Sequence, residues 1–150
     1  MSDRIETADR AGHEPRTSAG AGAPDATAEP VDWEVLLGLE EAQVEGEPDL
    51  VVELLDLYAE DAPRRLDAIR GALAARDLET LRRAAHGLKG GSASLGARRM
   101  TALCEQLGRL SGPELPRGGE MLLTCLEREF ARVRLVFAAE RGRRLLGGMR

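Results

Sequence analysis

Apolar residues recur along most of this chain at steps of three and four, the spacing that places them on one face of an α-helix. Four long stretches show the pattern, at residues 50–73, 78–95, 100–110 and 122–137. A shorter apolar cluster at 33–39 follows Asp32, a residue type that caps helix N-termini. No segment shows a convincing strand pattern. The sequence therefore predicts an all-α fold, an antiparallel up-down four-helix bundle with a short additional N-terminal helix.

Glycine and proline divide this pattern into helices. Gly46 and Pro48 separate the first two helices, and Gly96 ends the third. The segment SGPELPRGG at 111–119 is predicted to be a loop. Pro63 falls inside the second helix and is expected to kink it, because a proline ring clashes with the preceding turn.

The helical pattern covers only part of the chain. Residues 1–30 are rich in small and polar residues and nearly lack large apolar ones, which predicts a disordered N-terminal tail. His13 lies in this tail without a scaffold to position it. Residues 31–141 are predicted to form the bundle, and residues 142–150 a frayed C-terminal tail.

Composition and charge narrow the classes of function. Aromatic residues make up 3% of the chain, so the core is expected to consist mainly of Leu, Ala and Val. The net charge is −5, with 12 acids and 4 bases in residues 31–76 but 3 acids and 6 bases in residues 77–112. This gradient argues against nucleic-acid binding and favours a local basic surface that meets an acidic protein.

The sequence also bears on location and on the cysteines. It has no apolar run near 18 residues and no signal-peptide pattern at its start, so we expect no membrane span and a cytoplasmic protein. Cys104 and Cys125 are far apart and are interpreted as reduced thiols. A monomer is expected.

One histidine lies within the helical pattern. His86 follows a core position by one residue, which turns it about 100° away from the core. Arg82 and Lys89 lie one turn before and one turn after it, with Gly90 on the same side. A neutral imidazole is a nucleophile near pH 7, and nearby cations both disfavour its protonation and can neutralise a phosphoryl group. His86 is therefore either a phosphoryl-accepting nucleophile or an ordinary solvated surface residue.

The residues around His86 favour the functional interpretation. Lys89 is the single lysine in a chain with twenty arginines. This indicates that the position requires the compact, flexible charge of an ammonium group rather than a guanidinium. Gly87, Gly90 and Gly91 each cost a helix about 1 kcal/mol relative to alanine. Such a cost indicates that another surface approaches the helix closely, although Gly90 and Gly91 could instead mark an early helix end.

The segment AAHGLKGGSASLGA at 84–97 resembles the signature of histidine-containing phosphotransfer (HPt) domains, roughly A-H-x-L-K-G-x-S-x-x-L-G. The likeness extends over about residues 31–140. It implies a four-helix bundle that carries a phosphoryl group on His86, with Lys89 as the phosphate-side cation. It also implies that Gly90 allows close docking and that Ser92 helps by hydrogen bonding or only by packing.

The resemblance further implies a phosphoryl carrier rather than an enzyme. Its partners are receiver domains of response regulators and hybrid sensor histidine kinases, and the receiver brings Mg²⁺ and most catalytic groups. No cofactor and no metal is expected on this chain. Six residues are expected to dock the partner: Arg82, Arg83, Gly87, Gly90, Gly91 and Ser92.

Departures from the pattern and rival functions remain. Gly87 and Gly91 differ from the usual residues of the family and should loosen the helix, and Gly108 stands where an acid is expected. A fragment of an ATP-using histidine kinase is disfavoured because Gly87, and not an acid, follows the histidine. A binding module that docks a receiver without transfer is the other alternative. A metal site is disfavoured because positions three and four after His86 hold Lys89 and Gly90, which are not ligands.

Overall fold

The computed structural model describes residues 29–148, and these form five α-helices and no strand. The helices are α1 (Trp33–Glu40), α2 (Leu50–Ala75), α3 (Leu78–Ser94), α4 (Arg98–Gly108) and α5 (Glu120–Gly148). From α2 to α5 each helix packs on the next, and α5 closes the ring against α2, while α1 lies on α2. The all-α prediction is confirmed. Most of the predicted N-terminal tail, including His13, lies outside the described residues.

Three helices begin at an aspartate that caps them. The side chains of Asp32, Asp49 and Asp77 each accept a hydrogen bond from a backbone N–H of the first turn, at 3.1, 2.9 and 3.1 Å. The first N–H groups of a helix have no partner within it, so such caps stabilise the start of a helix. These short polar residues therefore set where α1, α2 and α3 begin.

The turn between α3 and α4 requires a glycine. Gly96 has a φ of +78°, and a Cβ at this position would lie 2.6 Å from the backbone oxygen of Asp32. The Asp32 N–H in turn donates to the Gly96 carbonyl at 2.7 Å. The end of α3 is thus joined directly to the start of α1.

The segment predicted as a loop, 111–119, is more ordered than expected. It forms a 3₁₀ turn at Gly112–Glu114 and a π turn at Leu115–Gly119. Leu115 is buried in the core, and the Ser111 N–H donates to the Glu114 carboxylate at 2.8 Å. The loop prediction was wrong, because the buried side chain of Leu115 anchors the segment to the core and the backbone forms helical turns around it.

Helix α5 continues beyond the end that the sequence predicts. The chain is helical through Gly148, so the prediction of a frayed tail is wrong for residues 142–148. Arg144 explains the extension, because it pairs with Glu140 one turn earlier at 2.7 Å, with Asp49 at 3.4 Å and with Glu40. These contacts fasten the last turns of α5 to the end of α1 and the start of α2.

The core is mainly aliphatic, as the composition predicts. Tyr58 packs edge-on against Phe130 and Phe137, with ring centroids 6.1 and 5.6 Å away. Two polar side chains, Ser92 and Glu129, are buried with these apolar residues. None of the described helices is both long and apolar enough to cross a membrane.

Candidate functional site

His86 lies in the middle of α3 with its side chain exposed. The neighbouring Ala85 and Leu88 are buried and hold α3 against the bundle. Since both sides of the histidine in sequence are anchored in this way, its backbone is held by a packed helix. The outward direction predicted from helical spacing is what the structure has.

A shallow groove of about 440 Å³ runs beside the imidazole between α3 and α4. It is lined by four residues of α3 and three of α4: Arg82, Arg83, His86, Lys89, Cys104, Glu105 and Gly108. A Cβ at Gly108 would meet no atom within 4 Å, so this residue leaves the groove open. A groove of this volume has room for a phosphoryl group or a side chain of a partner.

The cations beside His86 are held by weak, exposed contacts. Lys89 Nζ lies 3.3 Å from Glu105 Oε2, and Arg82 donates to the backbone carbonyl of Leu110, just beyond the end of α4, at 3.3 Å. Arg83 lies 3.6 Å from Glu79. Exposed pairs of this kind contribute about 0–1 kcal/mol, so the cations can turn to another anion at little cost.

Glu105 is a site residue that the sequence analysis missed. It belongs to α4, sixteen residues after Lys89, and no periodicity connects the two. Nearby on the same helix, burial raises the pKa of the Cys104 thiol to about 12. The thiol therefore stays protonated at neutral pH and does not compete with His86 as a nucleophile.

The three glycines of α3 have different surroundings. A Cβ at Gly90 would meet no atom within 4 Å, whereas one at Gly91 would touch the Tyr58 ring at 3.5 Å and one at Gly87 would overlap the guanidinium of Arg65. Helix α3 runs to Ser94, so an early end at these glycines is wrong. An open backbone beside His86 is found at Gly90, while Gly87 and Gly91 face side chains of α2.

Ser92 does not belong to the surface. It is 0% exposed, and its Oγ lies 2.7 Å from the hydroxyl of Tyr58, which is 6% exposed. Burial raises the pKa of Tyr58, so the phenol is neutral and either hydroxyl can donate. The assignment of Ser92 to partner docking was wrong, and the residue joins α3 to α2 inside the core.

Residues 29–148 bring no three metal-binding side chains together. The site consists of one exposed imidazole, three cations on the same helix, a carboxylate from α4 and an open backbone at Gly90. This arrangement presents a nucleophile and positive charge beside an open groove, which is suited to meeting another macromolecule.

Comparisons with known proteins point to one family. The family model described as Hpt domain matches residues 53–135. Histidine-containing phosphotransfer protein B (HptB) from Pseudomonas aeruginosa PAO1 is 35% identical, with a TM-score of 0.67 over 78% of this chain and 98% of that one. ZmHP2 from maize is 28% identical, with a TM-score of 0.66 over 77% and 87%.

MtHPt2 from Medicago truncatula is 22% identical and shares the fold, with a TM-score of 0.65 over 81% of this chain and 84% of that one. A search of curated proteins found no match.

Proposed function

Because the chain belongs to the histidine-containing phosphotransfer (Hpt) family, we propose that it is a phosphorelay intermediate whose phosphoryl-carrying residue is His86. Family membership establishes a role in histidine phosphotransfer within two-component signalling. The proposal adds the steps: His86 accepts a phosphoryl group from a receiver-domain aspartate and passes it to another receiver. The observation that carries it is the exposed imidazole on a packed helix, one turn from Lys89.

The transfer needs little from this chain beyond a positioned nucleophile. A ring nitrogen of neutral His86 attacks the phosphorus of the aspartyl phosphate with its lone pair. The N–P bond forms as the P–O bond breaks, and the electron pair leaves with the aspartate carboxylate. We expect the receiver to supply Mg²⁺ and most other catalytic groups, which makes this chain a carrier rather than an enzyme.

Lys89 is proposed to change partner during transfer. It pairs with Glu105 across the groove while His86 is unmodified. A phosphoryl group on His86 carries more negative charge than one carboxylate, and the lysine stem is flexible. Lys89 then turns from Glu105 to the phosphoryl oxygens and neutralises their charge.

The partner surface is proposed to lie around this side of α3. Arg82 and Arg83 are exposed, and Gly90 allows the backbone to be approached closely. Such a basic surface fits the acidic active site of a receiver domain. A monomeric state and a cytoplasmic location stay predictions from the sequence.

Phosphotransfer labelling tests the proposal. Receiver domains charged with labelled phosphate, or hybrid kinases with ATP, are mixed with the wild-type chain, with His86→Gln and with His13→Gln as the matched control. We expect acid-labile label on the wild type and on the control, and none on His86→Gln, whose helical circular dichroism should be unchanged. Label that persists on His86→Gln contradicts the proposal.

Two other outcomes identify the alternatives. Labelling by ATP without any kinase favours a histidine kinase fragment. A receiver that binds tightly but never exchanges its phosphoryl group favours a binding module without transfer.

A further inference from the structure

A cation from a neighbouring helix lies against the backbone beside His86. If Gly87 carried a Cβ, that atom would lie 2.5 Å from the Cζ of Arg65 and 3.0 Å from its Nε. A Cβ atom does not approach a non-bonded heavy atom as closely as 2.5 Å, so the guanidinium occupies the space that a side chain at position 87 would need. Gly87 is thus the residue that admits Arg65 to the surface of α3.

The guanidinium lies on the side of His86 that faces α2, where Arg83 of α3 lines the same hollow as Arg65. Successive residues of a helix are turned by about 100°. Lys89 and Arg82 therefore lie on the side of His86 that faces α4, whereas Gly87 and Gly90 lie on the side that faces α2. Arg83 lies on this second side as well, and Arg65 adds positive charge to it from α2.

Helix stability does not explain the arrangement. Arg65 pairs with Asp61 at 3.1 Å one turn earlier on α2, and the two side chains are 40% and 49% exposed. An exposed pair of this kind stabilises a protein by less than an internal glycine destabilises a helix. Because the guanidinium is also accessible to solvent, it is available to a partner.

We propose that Arg65, seated over Gly87, is a docking residue that binds a carboxylate at the rim of the receiver active site on the α2 side of His86. A guanidinium binds a carboxylate through two parallel hydrogen bonds and so fixes orientation as well as charge. The proposal rests on the phosphotransfer function proposed above. It adds the partner contact that sets how the receiver sits on α3.

Two single variants and their combination test it. Arg65→Met removes the charge but keeps an unbranched side chain, and Gly87→Ala moves the guanidinium while leaving it in the protein. The matched control is Arg70→Met, which removes the same charge from α2 at a residue paired with Glu127 of α5. The measurements are the second-order rate of transfer from a charged receiver at increasing salt, and urea unfolding.

We expect Arg65→Met to lower the rate at low salt about 3- to 10-fold and to flatten its dependence on salt. Gly87→Ala should lower the rate similarly although α3 gains a better helix former. The double variant should be no slower than the slower single variant, because both changes remove the same contact. Arg70→Met should stay within about twofold of the wild type.

Equal rates and salt dependence for Arg65→Met and Arg70→Met overturn the docking role. A Gly87→Ala variant that transfers as fast as the wild type overturns the link between Gly87 and Arg65. Both failures leave His86 labelled, whereas absence of label on the wild type is a failure of the proposed function itself.

Discussion

Replacing Ser92 by alanine separates a structural role of this motif residue from a role in docking. The change removes the hydrogen bond between Ser92 Oγ and the Tyr58 hydroxyl, which are 2.7 Å apart. Tyr58 is then left with a buried hydroxyl that has lost this partner. An unsatisfied buried polar group costs about 1–3 kcal/mol.

One smaller effect reduces the expected loss. Alanine is a better helix former than serine by about 0.5 kcal/mol, which offsets part of the loss. Ser92→Ala should therefore lower the free energy of unfolding by about 1–2 kcal/mol. Tyr58→Phe should cost about 0.5–1 kcal/mol, because the serine hydroxyl left behind can bond a backbone carbonyl of its own helix and the ring contacts are kept.

The double variant measures the contact itself. With both hydroxyl groups removed, no buried polar atom is stranded, so the loss should be smaller than the sum of the two single losses by about 1 kcal/mol. Urea unfolding of the four proteins gives these values. Phosphotransfer, measured where each protein is folded, should be unchanged in Ser92→Ala because this residue does not reach the surface.

Two results would refute this reasoning. One is a Ser92→Ala variant as stable as the wild type, which would show that the buried hydroxyl pair contributes nothing. The other is a folded Ser92→Ala variant with slow transfer, which would return Ser92 to the functional site.

Three further predictions concern charged residues. Glu105→Gln should shift the equilibrium between labelled receiver and labelled His86 toward the histidine by up to about fivefold. The reason is that Lys89 loses a competing ion pair worth about 1 kcal/mol or less. A shift toward the receiver contradicts this prediction. Burial raises the pKa of the Glu129 carboxyl group, although two arginines oppose the shift. The folded state therefore holds this proton more tightly than the unfolded state does. As a result, the contribution of Glu129 to the free energy of unfolding falls as pH rises. The stability of Glu129→Gln relative to the wild type should therefore increase between about pH 4 and pH 7 in urea unfolding, and a constant difference refutes it. Arg144→Met should lower the free energy of unfolding by about 1 kcal/mol at low salt and by less at high salt, and an equal loss at both would exclude ion pairing as the cause.

Local properties of the sequence were enough to predict the helices and the direction of His86. The period of the apolar residues is a property of each helix alone, so it shows which side of α3 faces the core without any knowledge of the neighbours. Aspartate caps act within three residues, so Asp32, Asp49 and Asp77 mark helix starts in the sequence itself. The motif around His86 is likewise contiguous.

The surroundings of each motif residue were decided by the tertiary structure. Lys89 meets Glu105 across 16 residues, Ser92 meets Tyr58 across 34, and Arg144 meets Asp49 across 95. Periodicity shows that a side chain faces inward or outward, but it does not show which side chain of another helix lies opposite. That depends on how the helices are rotated and shifted when they pack. The sequence therefore did not reveal that Ser92, named among the docking residues, bonds Tyr58 inside the core, or that Arg65 of the same chain lies over Gly87.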